Sequence, residues 1–378
     1  MPEYSGKFQY DGQSGACRVA FEAEACCVTP ASGAPIAFDL GDVDRVAPGD
    51  WEMSLTLYTG RTLVLRQFGA SFSRMQDELV AAWRDRTVQC LLLEDLEEIA
   101  RFDAAANGAR GQVRLYGSNL AALPVAADPI QLRLADVDSV RFDESTYTVV
   151  LETADGPVGI SKLAKKTEEF REKLGEALDA LGSRTAAVLR ERFPFLNPDQ
   201  VRRLTTIMPE GRSAPATSLE AVHPKLPGAV VAAAVDETLA PYFDELKKRS
   251  TGAWHAGFKF IRPDGADSPD ENLFFWFFFP LPGKDAIAWE ATTGSGRATY
   301  FFRSSTPVDR LTRGLALINF RREPVYLPDE SLEQQPKFHR YAIGARKLPD
   351  LRNLRGAYLG RAIHSSVEEW AEQGKRFF

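Results

Sequence analysis

Residues 18–64 and 112–158 align without a gap at a shift of 94 positions, and this internal duplication is the feature that most limits what the chain can fold into. Val19 maps to Val113, Pro30 to Pro124, Pro35 to Pro129, Ile36 to Ile130 and Leu40 to Leu134. Asp42-Val43-Asp44 maps to Asp136-Val137-Asp138, and Val46, Leu57, Thr59 and Val64 map to Val140, Leu151, Thr153 and Val158. These are 12 identities in 47 columns, where average composition gives roughly three by chance. A period of this length exceeds any solenoid repeat and suits a small domain used twice.

The shared pattern says what kind of domain. Ile36, Phe38 and Leu40 alternate with Ala37 and Asp39, as Ile130, Leu132 and Leu134 alternate with Gln131 and Arg133. Such a period of two predicts half-buried strands. Met53, Leu55 and Leu57 repeat it, answered by Tyr147, Val149 and Leu151, while Thr59-Gly60 and Asp155-Gly156 read as hairpin turns. The period then turns helical, with one extra residue in the second copy. Phe72, Met75, Leu79, Ala82 and Trp83 share a face in the first; Phe170, Leu174, Ala177, Leu178 and Leu181 do so in the second. Each copy is expected to hold six or seven short antiparallel strands followed by one amphipathic helix.

Over residues 15–185 this plan resembles the pleckstrin-homology-like superfold, GRAM-type modules included. There a small, partly open barrel is plugged at one end by a C-terminal helix. Trp83 resembles the tryptophan those helices often carry; the second copy has Leu178. The resemblance implies protein or lipid docking, the best-known ligand of the family being a phosphoinositide held by basic residues of the first hairpin. The stretches aligned with that hairpin, Glu22-Ala23-Glu24-Ala25 and Tyr116-Gly117-Ser118-Asn119, contain no Lys or Arg. A basic cluster of Lys162, Lys165 and Lys166 before the second helix is the candidate patch for an anionic lipid or acidic partner.

Beyond the repeat, Phe193-Pro194 ends a helix and Asn197-Pro198 starts another; Met208 to Pro215 reads as loop, and Val230 to Lys248 as an amphipathic stretch. From Trp254 onward the strand pattern returns: His255–Ile261, an aromatic run Leu273–Phe279 expected to be buried on both faces, and a hairpin of Ile287–Thr292 with Arg297–Phe302 across Gly294-Ser295-Gly296. Leu311, Leu315 and Ile318 suggest a helix, and Tyr358–Lys375 another. The expected organisation is α+β. Two consecutive barrels with terminal helices occupy 1–105 and 106–195, a helical connector 196–250, and an antiparallel-sheet α+β domain 251–378.

Composition narrows the chemistry. A net charge of −6 argues against neutralising a phosphate backbone, so nucleic acid is not expected as a partner. No secretory signal and no apolar run of bilayer-spanning length are visible, which places the expected protein in the cytoplasm. Cys17, Cys26, Cys27 and Cys90 include no C-x-x-C pair and read as structural thiols. Neither a Walker lysine, a G-x-S-x-G elbow nor H-E-x-x-H occurs, and no catalytic residue, metal or cofactor is assigned.

Three polar features remain. His364 and Glu368 share a helical face and read as an ordinary surface pair. Glu290 beside Trp289 reads as the polar face of an edge strand. Arg313, Arg321, Arg322, Arg340, Arg346, Arg352, Arg355 and Arg361 read as a distributed, ion-paired surface. The expected function is a non-enzymatic adaptor binding a protein or peptide partner. Peripheral attachment to anionic lipid and an enzyme seated in 251–378 are the alternatives.

Overall fold

The period-two segments form strands, as their alternation requires. In the first module β1 (Glu3–Tyr10), β2 (Gln13–Phe21), β3 (Ala25–Pro30), β4 (Ile36–Asp39), β5 (Val43–Pro48), β6 (Glu52–Leu57) and β7 (Thr62–Arg66) make one antiparallel sheet, followed by α1 (Phe72–Cys90). Its strand order is β4-β3-β2-β1-β7-β6-β5. In the second module β8 (Glu98–Ala106), β9 (Ala109–Tyr116), β10 (Asn119–Pro124), β11 (Ile130–Arg133), β12 (Val137–Asp143), β13 (Thr148–Thr153) and β14 (Val158–Ser161) precede α2 (Thr167–Arg192), in the matching order β11-β10-β9-β8-β14-β13-β12. Neither sheet closes. β4 and β5 end the first and β11 and β12 the second, so the expected barrels are open sheets. The second module starts at β8, ahead of residue 106.

A computed structural model describes residues 3–22, 24–93, 95–261, 272–292 and 297–378. It divides into two units, Met1–Ala177 with Glu333–Leu348 and Leu178–Leu332 with Pro349–Phe378.

Strand register corrects the ungapped alignment. Val46 stands opposite Leu55 and Val140 opposite Leu151, so Leu55, not Leu57, is the counterpart of Leu151. Leu57 opposite Val43 corresponds to Thr153 opposite Val137. The turn after β12 is two residues longer than the one after β5, and Tyr147 sits in it with φ of 49°. The next turn returns one residue, since Leu63 faces Leu55 as Val158 faces Leu151. The helices consequently start one residue apart in the repeat frame, as their periodicity requires, and Trp83 does correspond to Leu178.

Trp83 is buried in the core that also holds Val19, Val28, Leu55 and Leu65. Its indole N–H, which has to find an acceptor in such a place, donates to the Val43 carbonyl at 3.1 Å. That bond ties α1 to β5. The outer edge of β5 is also capped: the Val46 N–H donates to the Val125 carbonyl of the second module at 2.9 Å, and the Val125 side chain packs against the first module's core.

In the second unit α3 (Pro198–Ile207) is started by a capping box of Asn197 and Gln200. There follow β15 (Ser213–Pro215), α4 (Ala216–Val222), α5 (Leu226–Ala234), α6 (Ala240–Arg249), β16 (His255–Ile261), β17 (Asn272–Leu281), β18 (Ala286–Ala291) and β19 (Ala298–Phe302). After α7 (Val308–Leu317), α8 (Glu323–Tyr326), α9 (Asp329–Gln334), α10 (Pro336–Lys347) and α11 (Pro349–Ala357), β20 (Tyr358–Ile363) completes a sheet of order β15-β16-β17-β18-β19-β20, and α12 (Val367–Gly374) ends the chain. Residues 196–250, expected as a helical connector packed on its neighbours, also contribute β15, which pairs with β16, and their Val201, Leu219, Val230 and Phe243 belong to the unit's core. β17 is buried on both faces: Phe277 and Phe279 pack edge-on against Phe243, while Phe274 and Trp276 contact Phe320.

The helix expected over Tyr358–Lys375 is a strand followed by a short helix. β20 pairs with β19, and Ser366 caps α12 by accepting from the Glu369 N–H at 3.1 Å. Among all these elements α10 alone packs wholly with the first unit. Lys347 donates to the Val43 carbonyl and to Asp44, each at 3.1 Å, and Arg346 pairs with Asp42. Ile343 and Cys90 close over Gly41, where a Cβ would come within 2.9 Å of both side chains.

Candidate functional site

The repeat makes each module a control for the other, and the contrast falls on β5 and β12. Val46 is fully buried, whereas its counterpart Val140 is 39% exposed. The first module has Trp83 holding β5 to the helix and Val125 capping its edge; the second has Leu178 in the tryptophan's place and no strand beyond β12 among the described residues. Val140 and Phe142 lie two residues apart on one face of β12, and Phe142 meets the exposed ring of Tyr147 edge-on at 6.1 Å. Arg171 stacks over Phe142 at 4.6 Å. The turn beyond is hydrogen-bonded: Asp143 accepts from the Ser145 hydroxyl at 2.6 Å and its N–H at 2.9 Å, and these bonds, with those from Thr146, hold its carboxyl below the usual range. An apolar strip on an open sheet edge can take up a further strand.

Lys162, Lys165 and Lys166 are all exposed on the turn before α2. Lys162 has φ of 59°, matching Gln67 at 60° in the first module. Glu168 and Glu169 in the first turn of α2 offset the three charges. A strong polybasic attachment takes four or more such residues.

The hairpin assignment changes. The first hairpin of each module turns at Asp11-Gly12 and Asn107-Gly108, one strand earlier than the stretches compared in the sequence. Arg101, Arg110 and Arg114 therefore belong to the strands of the second module's first hairpin. They line a cleft against α1 instead of the module's interior.

In the second unit two residues that the sequence presented separately come together. Glu290, fully buried on β18, accepts from the Thr299 hydroxyl at 2.7 Å, and His364 Nε2 lies 3.3 Å from the same carboxylate oxygen. Thr299 Oγ1 also accepts from Trp370 Nε1 at 2.8 Å and stands 3.1 Å from His364 Nε2. Tyr242 stacks on the imidazole at 3.9 Å. The expected His364–Glu368 pairing is replaced by this cluster, and Glu290 is not on an edge strand, since β18 lies between β17 and β19. Thr299 and Glu290 approach the same ring nitrogen, and Nδ1 has no partner among the described residues. A hydroxyl-activating relay instead needs base and orienting acid on opposite nitrogens. This cluster ties β18, β19, β20 and α12 together.

Several of the C-terminal arginines have their own partners. Arg313 pairs with Asp350, Arg355 with Asp329, and Arg361 stacks on Tyr326 at 4.0 Å, while Arg346 and Arg340 lie on α10. Gly294-Ser295-Gly296 lies outside the described residues. Among the described residues no cluster of His, Cys, Asp or Glu is suited to a metal ion, and no helix is long and apolar enough to cross a membrane.

No family model matches this chain, and no curated protein matches it significantly. Among the solved structures similar to it is one described as the structure of the Spt16D Pob3N heterodimer. It is 11% identical, covers 41% of this chain and 86% of its own, and has a TM-score of 0.19. A score that low carries no inference about partners.

Proposed function

We propose that this is a non-enzymatic interaction protein built on two pleckstrin-homology-like modules, the second of which docks an extended peptide along β12. The observation that carries the reading is the exposure of Val140 where the equivalent Val46 is sealed. Within the molecule the first module's edge already accepts a backbone carbonyl and a branched side chain from Val125. A partner segment that adds to β12 would supply the same two things: main-chain hydrogen bonds, and an apolar side chain over Val140 and Phe142. Four unpaired cysteines fit a reducing, cytoplasmic setting.

Peptides selected from a random display library on the full chain test this. Val140→Lys should weaken the selected peptides at least tenfold without lowering the melting temperature, because the side chain is already solvent-facing. Peptides that bind Val140→Lys as well as the parent would remove β12 from consideration. Salt-sensitive pelleting with anionic vesicles, lost on replacing Lys162, Lys165 and Lys166 by Gln but not in Val140→Lys, would favour the membrane instead.

A further inference from the structure

A cleft of about 440 Å³ lies between α1 and the outer face of the second module's sheet. One wall is a single helical face, Gln76, Asp77, Val80, Ala81 and Arg84; the other carries Arg101, Arg110, Gly111, Gln112 and Arg114. Its volume is that of small-molecule sites. Gly111 has to be glycine for β9 to approach β10, since a Cβ there would lie 2.3 Å from the Leu123 carbonyl oxygen.

The four arginines fall into two pairs. Arg114 is nearly buried and fixed by Asp85 at 2.6 Å and Gln112 at 2.7 Å; Arg101 is fixed by Glu98 at 2.8 and 3.0 Å. These two are locked into the wall with their charges answered. Among the described residues the side chains of Arg84 and Arg110 make no ion pair or hydrogen bond, and the Arg84 Nε is buried without an acceptor. Burial, the largest cause, pushes the Arg84 guanidinium below its ordinary value; Arg114 and Arg101 add to this, and Asp103 and Asp85 oppose it. Both residues line the same cleft, and guanidinium forks suit a tetrahedral oxyanion.

We propose that this cleft binds a phosphate group, with Arg84 and Arg110 as the ligating forks and the ion-paired Arg101 and Arg114 as part of its wall. The site lies on the sheet's outer face and uses residues from both modules. It is independent of β12 and of the lysine turn, so it stands or falls separately from peptide docking.

The test is calorimetric titration of the full chain with inorganic phosphate and pyrophosphate, with vesicles containing phosphatidic acid run in parallel. Saturable binding with a raised melting temperature is expected. Arg84→Gln and Arg110→Gln should each weaken it at least tenfold, while Lys165→Gln leaves it unchanged. Because the Arg84 side chain has no hydrogen-bond partner to lose among the described residues, its variant should melt no lower than the parent, which separates a lost ligand from a lost fold. Binding confined to vesicles, yet still abolished by Arg84→Gln, supports the site and assigns the phosphate to a lipid headgroup. Absence of saturable binding in every arm, or binding indifferent to both substitutions, overturns the proposal.

Discussion

Replacing Thr299 by Val should destabilise the second unit by about 3–5 kcal/mol although it preserves shape and adds apolar surface. The hydroxyl is fully buried and serves Glu290 at 2.7 Å and Trp370 at 2.8 Å. Its removal strands a buried indole N–H, at about 1–2 kcal/mol, and takes a donor from a buried carboxylate, at about 2–3 kcal/mol. Glu290 Oε1 is without a partner among the described residues, and the carboxylate is left with His364 Nε2 at 3.3 Å from Oε2. Thr299→Ser keeps the hydroxyl and forfeits one methyl group, about 1 kcal/mol. Hydrophobic burial alone orders the two variants the other way. Urea unfolding followed by tryptophan fluorescence gives the free energies, since Trp254, Trp276, Trp289 and Trp370 all belong to this unit. Hydrogen exchange over β18, β19 and β20 locates the change. If the Thr299→Val protein unfolds at the parental urea midpoint, or Ser is the costlier replacement, the cluster is not held by these bonds.

Three further outcomes are expected. Trp83→Leu should make the first module behave like the second, raising amide exchange along β5 and costing about 2–4 kcal/mol from lost volume and the lost bond to Val43; unchanged β5 protection would contradict the role given to that side chain. Burial raises the thiols of Cys17 to about 11 and of Cys26 and Cys90 to about 12, so alkylation of the folded protein near pH 8 should modify half-buried Cys27 first, and mass spectrometry showing Cys26 or Cys90 labelled at the same rate would refute this. Burial depresses the His255 imidazole, so the fold favours its neutral form; stability should be full above about pH 6.5 and decline as the pH falls through that value, a step that His255→Asn removes in melting curves.

Much of the first unit was legible because its information is local. Alternation at Ile36–Leu40 and at Ile130–Leu134 marks strands, and the helix offset of one residue survives in the structure. The ungapped alignment failed at the β12 turn because Leu57 and Leu151 match by residue type, whereas ladder pairing is set by turn length. Tyr358–Ile363 was misread as helix because Leu359, Ile363, Val367 and Trp370 suit a helical spacing. The sequence did contain a better guide, since Ser366 followed by Glu369 is a helix-start pattern. The meeting of Glu290 with His364 could not be read, because it joins strands distant in sequence. Nor does any periodicity report that Val140 is left uncovered: Val46 and Val140 are the same residue in the same pattern, and only their neighbours differ.

The placement of α10 bears on how the protein is made. The chain leaves the first unit after Ala177, returns for Glu333–Leu348, and departs again. During synthesis the surface around Gly41, Asp42 and Asp44 therefore waits for more than half of the polypeptide before its own helix arrives to cover it. A nascent first module spends that interval with a bare acidic face, and any fragment ending near residue 185 keeps it permanently.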